Sequence, residues 1–170
     1  MKPIHASIVI HDDEYVLIQF RPPWFNKYPL HFSYWGGGIE KIADEKRFET
    51  PIEAIFRELE EEIKLVYEYL SNAYIGAYLI DHDVFEQEDV KGNKWFEQIY
   101  SIKVPSIQDM MEYLRKEKGL ITTELGSIVE EGYAVIFPIE NLPNPMIANF
   151  KEITNSILKE QSLDDKVVNY

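Results

Sequence analysis

A chain of 170 residues, 45% hydrophobic and 28% charged, has the length and balance to bury one core as a single domain, 1–170. Its net charge of −13, with no long run of Lys and Arg, argues against nucleic acids and anionic membranes as partners. The absence of cysteine excludes disulfides, thiol catalysis and Cys-ligated zinc, and it fits a reducing, cytoplasmic setting.

Met1–His5 leads straight into a strand pattern, with no signal-like apolar stretch and no run long enough to span a bilayer. Ala6–Ile10 and Tyr15–Phe20 read as two strands joined by a turn at His11–Glu14. Arg21-Pro22-Pro23 stops the second strand, and Trp24–Ser33 reads as an aromatic loop. Tyr34-Trp35 then enters a glycine turn, Gly36–Glu40, and Lys41–Phe48 reads as a polar loop. Thr50–Ile63 is the clearest helix, with Thr50 as cap, Pro51 at its first position and Glu53 completing a capping box.

Tyr74–Ile80 and Trp95–Val104 read as strands joined by the polar stretch Asp81–Asn93. Ile107–Lys118 reads as a helix closed by Gly119, and Tyr133–Ile139 as a further strand. A last helix is expected over Pro145–Lys159, followed by a polar tail, 161–170, that frays. Strands and helices without strict alternation point to a mixed β-sheet flanked by helices, an α/β fold.

The acidic helix carries the chemistry. At about 100° per residue, Ile52, Ile55, Phe56, Leu59, Ile63 and Val66 form one apolar arc. Glu58, Glu61 and Glu62 stand at i, i+3 and i+4, so their carboxylates share a patch, with Ala54 leaving that patch open. Glu53–Arg57 and Glu60–Lys64 read as compensating pairs on another side. Three glutamates on a helix also describe a plain solvated face. The neighbours tilt the reading: Glu49 stands beside the helix start, Arg57 is spaced to orient carboxylates, and the glycines admit a ligand close to the backbone. Oxygen ligands of this kind suit Mg²⁺ or Mn²⁺.

These residues resemble the Nudix hydrolase signature. Glu49, seven residues, then Arg57-Glu58-Leu59-Glu60-Glu61-Glu62-Ile63 match in register, and Leu65 matches the closing aliphatic position. Gly36-Gly37-Gly38-Ile39-Glu40 is similar to the signature's glycine turn. Ile18-Gln19-Phe20-Arg21 and Phe137-Pro138-Ile139-Glu140-Asn141-Leu142-Pro143 resemble flanking features of the same family. There are two departures. Gly37 precedes Glu49 by eleven residues of spacing in place of the signature's five, and Lys64 replaces its closing glycine.

The resemblance implies an α/β/α sandwich on a mixed sheet and a metal-dependent hydrolase, cleaving the diphosphate linkage of a small nucleoside diphosphate derivative with Mg²⁺ or Mn²⁺. By position it implies Glu58, Glu61 and Glu62 as metal ligands, joined by the Gly37 carbonyl. Arg57 and Glu49 would complete the catalytic group. Glu131 is the candidate for a ligand or base outside the signature, although beside Glu130 it also reads as a surface turn acid. Arg21 is a candidate phosphate contact, and Tyr34 a candidate surface for stacking a base. Family members are often homodimers. The alternative reading is a catalytically weak or inactive module of the same fold that binds a nucleotide or a protein. Asp81-His82-Asp83 suits a strand end better than a metal site.

Overall fold

The computed structural model describes residues 2–73 and 79–168. Positions 74–78 of the expected strand Tyr74–Ile80 lie outside the described residues.

Strand formation follows side-chain alternation. In β1 (His5–His11), Ala6, Ile8 and Ile10 enter one core while Val9 enters a second. In β2 (Tyr15–Phe20), Leu17 faces the first core and Val16 and Ile18 the second. Both strands are therefore central and apolar on both faces. The turn between them is fixed by Asp12, whose Oδ1 accepts from the Glu14 and Tyr15 amides at 2.7 and 2.6 Å.

β3 (Phe32–Ser33) pairs with β2, and β4 (Trp35–Gly38) pairs antiparallel with β1. The expected glycine turn is thus strand. β7 (Leu79–Glu88), β8 (Lys94–Lys103), β9 (Thr122–Thr123), β10 (Gly126–Ile128) and β11 (Tyr133–Pro138) complete one sheet of order β7-β8-β1-β2-β11-β10-β9. β1 and β8 run parallel and the other pairs antiparallel, so the sheet is mixed.

Helices cover both faces. α1 (Pro51–Glu62), α2 (Lys64–Ala73) and α3 (Ile107–Lys118) close the first core through Ile55, Leu59, Val66, Leu70, Ile107 and Met110. α4 (Phe150–Val168) closes the second through Phe150, Ile153 and Ile157. The result is an α/β/α sandwich. Among the described residues, no helix is long and apolar enough to cross a membrane.

Three further expectations change. Lys41–Phe48 is a small hairpin, β5 (Lys41–Ile42) with β6 (Arg47–Phe48), because Glu49 N donates to Glu40 O at 2.7 Å and zips its base. The polar stretch after Ile80 is the body of β7, an edge strand that among the described residues pairs with β8 alone. The last helix begins at Phe150 instead of Pro145. Pro145 and Ile147 bond to Phe32 through their backbones after a cis Asn144–Pro145 peptide, and the helix runs on to Val168, into the stretch expected to fray.

Candidate active site

The first half of the site is the acidic helix. Thr50 Oγ1 accepts from Glu53 N at 3.3 Å, and Glu53 Oε2 accepts from Thr50 N at 2.7 Å. This capping box fixes where α1 starts, and so the angular position of every glutamate after it. Glu53 pairs with Arg47 of the hairpin at 2.8 and 2.9 Å, not with Arg57 as the spacing suggests, and this holds its carboxyl down at about 2.

Arg57 is thereby free for the site. Its Nε and Nη2 donate to the two Glu49 oxygens at 2.7 and 3.0 Å, a fork-to-fork pair. Nη2 also reaches Gly38 O at 2.8 Å, while Nη1 reaches Glu58 Oε1 at 2.9 Å and Glu61 Oε2 at 3.3 Å. Glu40, which the sequence reading did not single out, adds a looser contact at 3.7 Å and donates its own amide to Glu49 Oε2 at 2.9 Å. The Arg57 pairing holds the Glu49 carboxyl below the usual range.

The three signature glutamates differ sharply in setting. Glu61 lies at the surface, with its side chain 54% exposed, and that of Glu58 is 14% exposed. Glu62 is buried at 3%, because it lies on the side of α1 that meets the sheet. Ala54, expected to leave an open patch, is fully buried there in the first core. Glu62 Oε1 accepts from Gly36 N at 3.1 Å and Oε2 from Gln19 Nε2 at 3.2 Å. Burial, then the charges of Glu58 and Glu131, push its carboxyl well above the usual range.

β4 forms the opposite wall. A side chain at Gly37 would run into the Glu58 carboxylate, and Gly36 adopts φ +143° with its Cα pressed on β1. Only glycine lets strand and helix close to this distance. Glu131 joins from the loop before β11: its carboxyl is raised by partial burial and then by Glu58, while Arg21 pulls it down. Arg21 borders both Glu62 and Glu131, stacks on Phe25 at 4.9 Å, and donates to Lys27 O and Gln19 Oε1.

Six of the residues singled out from the sequence therefore gather along the side of α1 that meets β4: Glu49, Arg57, Glu58, Glu61, Glu62 and Gly37, with Glu131 and Arg21 at the rim. Tyr34 does not. It is 2% exposed, bonds to the Thr154 hydroxyl and packs edge-on against Phe150 at 5.2 Å, so it is core and stacks on no base. Gln19, like Glu40, was not singled out from the sequence. Its only signal was one polar side chain in an otherwise apolar central strand.

A carboxylate set this dense, with one member buried, suits a hard divalent cation. Among the described residues no three such groups already converge on a common point. Glu58 and Glu61 are turned towards Arg57.

The fold has solved counterparts. It is similar to a MutT Nudix hydrolase from Burkholderia pseudomallei, with a TM-score of 0.56 and 16% identity over 94% of this chain and 98% of that one. A Nudix hydrolase from M. smegmatis gives 0.51 and 11%, over 95% and 87%. A bifunctional NMN adenylyltransferase/ADP ribose pyrophosphatase from Francisella tularensis, complexed with AMP and a Mn ion, gives 0.53 and 18%; the match covers 94% of this chain and 42% of that one. No family model and no curated protein matches the sequence. The mixed sheet with helices on both faces and the overlap with these structures give the chain a Nudix-like fold.

Proposed function

We propose that the chain is a metal-dependent pyrophosphohydrolase acting on the diphosphate linkage of a nucleoside diphosphate derivative. The observation that carries this reading is the meeting of Glu58 and Glu62 with the Gly36–Gly38 strand, backed by the Arg57–Glu49 pair. Glu58, Glu61 and Glu62, with the Gly37 carbonyl, would hold Mg²⁺ or Mn²⁺, and Glu131 would serve as a further ligand or as the base. When bound, such an ion neutralises non-bridging phosphate oxygens and acidifies a water.

The protein's own groups supply the rest. Arg57 holds Glu58 and Glu61 in place and is itself held by Glu49. Burial keeps the Glu62 carboxyl short of countercharge, so a cation gains more there than at a solvated carboxylate. Glu131, raised above the usual range, is a better proton acceptor for a water than an unperturbed glutamate. Arg21, half-buried at the rim, would meet a phosphate. The setting we propose is cytoplasmic, and the surplus of negative charge disfavours polyanionic partners.

One observation favours the second reading, a binding module: the Arg57 grip on Glu58 and Glu61 suits a site at rest. A panel assay separates the two. The protein is incubated with Mn²⁺ or Mg²⁺ and several nucleoside diphosphate derivatives, beside Glu61→Gln and Glu62→Gln. Turnover that disappears in both variants supports the hydrolase. Cation-dependent binding with no turnover supports the module. Melting that ignores cations, with no binding, overturns both.

A further inference from the structure

We infer that Gln19 is a positioning residue which, together with Glu130, latches the loop before β11 so that the Glu131 carboxylate stays among those of α1. This rests on the hydrolase reading above, but on residues that lie outside the signature.

Gln19 is 1% exposed on a central strand, where a polar side chain persists only if its groups are paired. It pairs three partners at once. Its Nε2 donates to Glu62 Oε2 at 3.2 Å and to the Glu131 backbone carbonyl at 2.9 Å, and its Oε1 accepts from Arg21 Nη1 at 3.0 Å. One amide therefore sets the spacing of a buried carboxylate, the loop and the arginine at the rim.

The loop is fastened at further points. Glu131 N donates to Glu62 O at 3.2 Å, at the last residue of α1. Ile63 breaks the helix with φ −141° and ψ 60°, and α2 starts at Lys64. The freed Lys64 amide donates to Glu130 Oε2 at 3.1 Å. An orphan helix donor is thus satisfied by the residue next to Glu131. Gly132 then turns with φ +78° against the Phe20 carbonyl, leaving no room for a side chain. An exposed acid on an irregular loop ordinarily samples many orientations. Here the backbone on both sides of its Cα is tied to α1 and β2.

The test measures kcat and KM for Gln19→Met, Glu130→Ala and Glu130→Gln, each alone and combined with Glu131→Gln. Gln19→Met keeps the volume and removes the donors. It is expected to lower kcat by about tenfold or more while leaving KM within about threefold. Glu130→Ala should lower kcat in the same direction, and Glu130→Gln, which keeps an acceptor for Lys64, should restore it. Neither change should cost anything further in the Glu131→Gln background. A penalty that persists undiminished in that background overturns the latch, as does an unchanged kcat in both Gln19→Met and Glu130→Ala. If Gln19→Met fails to fold, the exposed Glu130 pair decides alone. If the wild-type chain turns over no substrate, the hydrolase reading is what fails, and amide hydrogen exchange then reads the latch. Exchange at Glu131 faster by about tenfold in Glu130→Ala supports it, and unchanged exchange overturns it.

Discussion

Arg57 and Glu49 stand eight residues apart and meet through two parallel hydrogen bonds of 2.7 and 3.0 Å, with the Glu49 side chain only 9% exposed. The pair joins the start of α1 to its middle and aims the remaining Arg57 donor at Glu58 and Glu61. A fork-to-fork pair depends on planar guanidinium geometry, which an ammonium group cannot reproduce. Arg57→Lys is therefore expected to behave like Arg57→Ala and not like the wild type. Both should lower kcat/KM by about 10–100-fold, the usual cost of losing a group that orients metal ligands. Glu49→Gln, which loses charge and one acceptor, should fall between them and the wild type. Steady-state kinetics at saturating Mn²⁺ checks the ordering.

Glu62 is expected to trade stability for function. Its carboxyl is raised by burial and then by Glu58 and Glu131, so the folded state binds the proton more tightly than the unfolded state. The stability it contributes is present at low pH and lost as pH rises through its folded value. Glu62→Gln keeps the shape and removes the charge. At pH 7 to 8 and without metal, it should melt higher than the wild type. It should also lose the melting shift expected of the wild type in Mn²⁺, since a ligand stabilises only the state that binds it. Differential scanning fluorimetry with and without Mn²⁺ reads both effects.

Much of this was legible in the chain because it is local. Thr50, Pro51 and Glu53 announce the helix start within one turn, and Gly119 marks the end of α3. The i, i+3, i+4 spacing of Glu58, Glu61 and Glu62 places them together whatever the rest of the chain does. What was not legible depends on contacts far apart in sequence. Nothing near Glu62 says that it faces the sheet, since its burial comes from Gln19 and Gly36. Tyr34 looks the same from sequence whether it stacks on a ligand or on Phe150, and only the placement of α4 decides. The edge strand β7 lacks an apolar face to mark it, so its polar residues read as a linker. Glu53 had two arginines at suitable spacing, and the hairpin fold settled on Arg47.

The eight residues Lys41–Phe48 lengthen the path from glycine strand to helix without lengthening the distance. Glu49 N donates to Glu40 O at 2.7 Å, and the register continues through Lys41↔Phe48 and Ile42↔Arg47. The insertion therefore closes on itself. Replacing Lys41–Phe48 with Asn-Gly should join Glu40 to Glu49 by a two-residue hairpin turn. Loop shortening of this size changes the closure cost by only about 1.2 kcal/mol. The Arg57–Glu49 pair should survive, and kcat/KM should stay within about fivefold of the wild type. A much larger loss would mean that the hairpin itself touches substrate, a role its exposed Phe48 would then explain.

Glu97 offers a test of the fold apart from the site. It is 3% exposed in β8, with Gln87 Nε2 donating to Oε2 at 3.1 Å and Trp95 Nε1 to Oε1 at 3.4 Å. His5 Nδ1 stands 3.8 Å from Glu97 Oε1, and burial lowers the tendency of His5 to take a proton. With so little countercharge, burial pushes the Glu97 carboxyl up to about 7. As pH rises from about 4.5, the unfolded chain ionises this group first while the folded chain keeps its proton, so stability falls until pH passes about 7 and then levels. Glu97→Gln removes that slope. Relative to the wild type it should be near neutral at pH 4.5 and increasingly stabilised up to pH 7, with a plateau on the order of 3 kcal/mol above that. Urea midpoints measured across the range should show the difference opening within that window and nowhere else. A constant offset at every pH would place the effect of the substitution in packing against Gln87 and Trp95, because a lost hydrogen bond does not titrate.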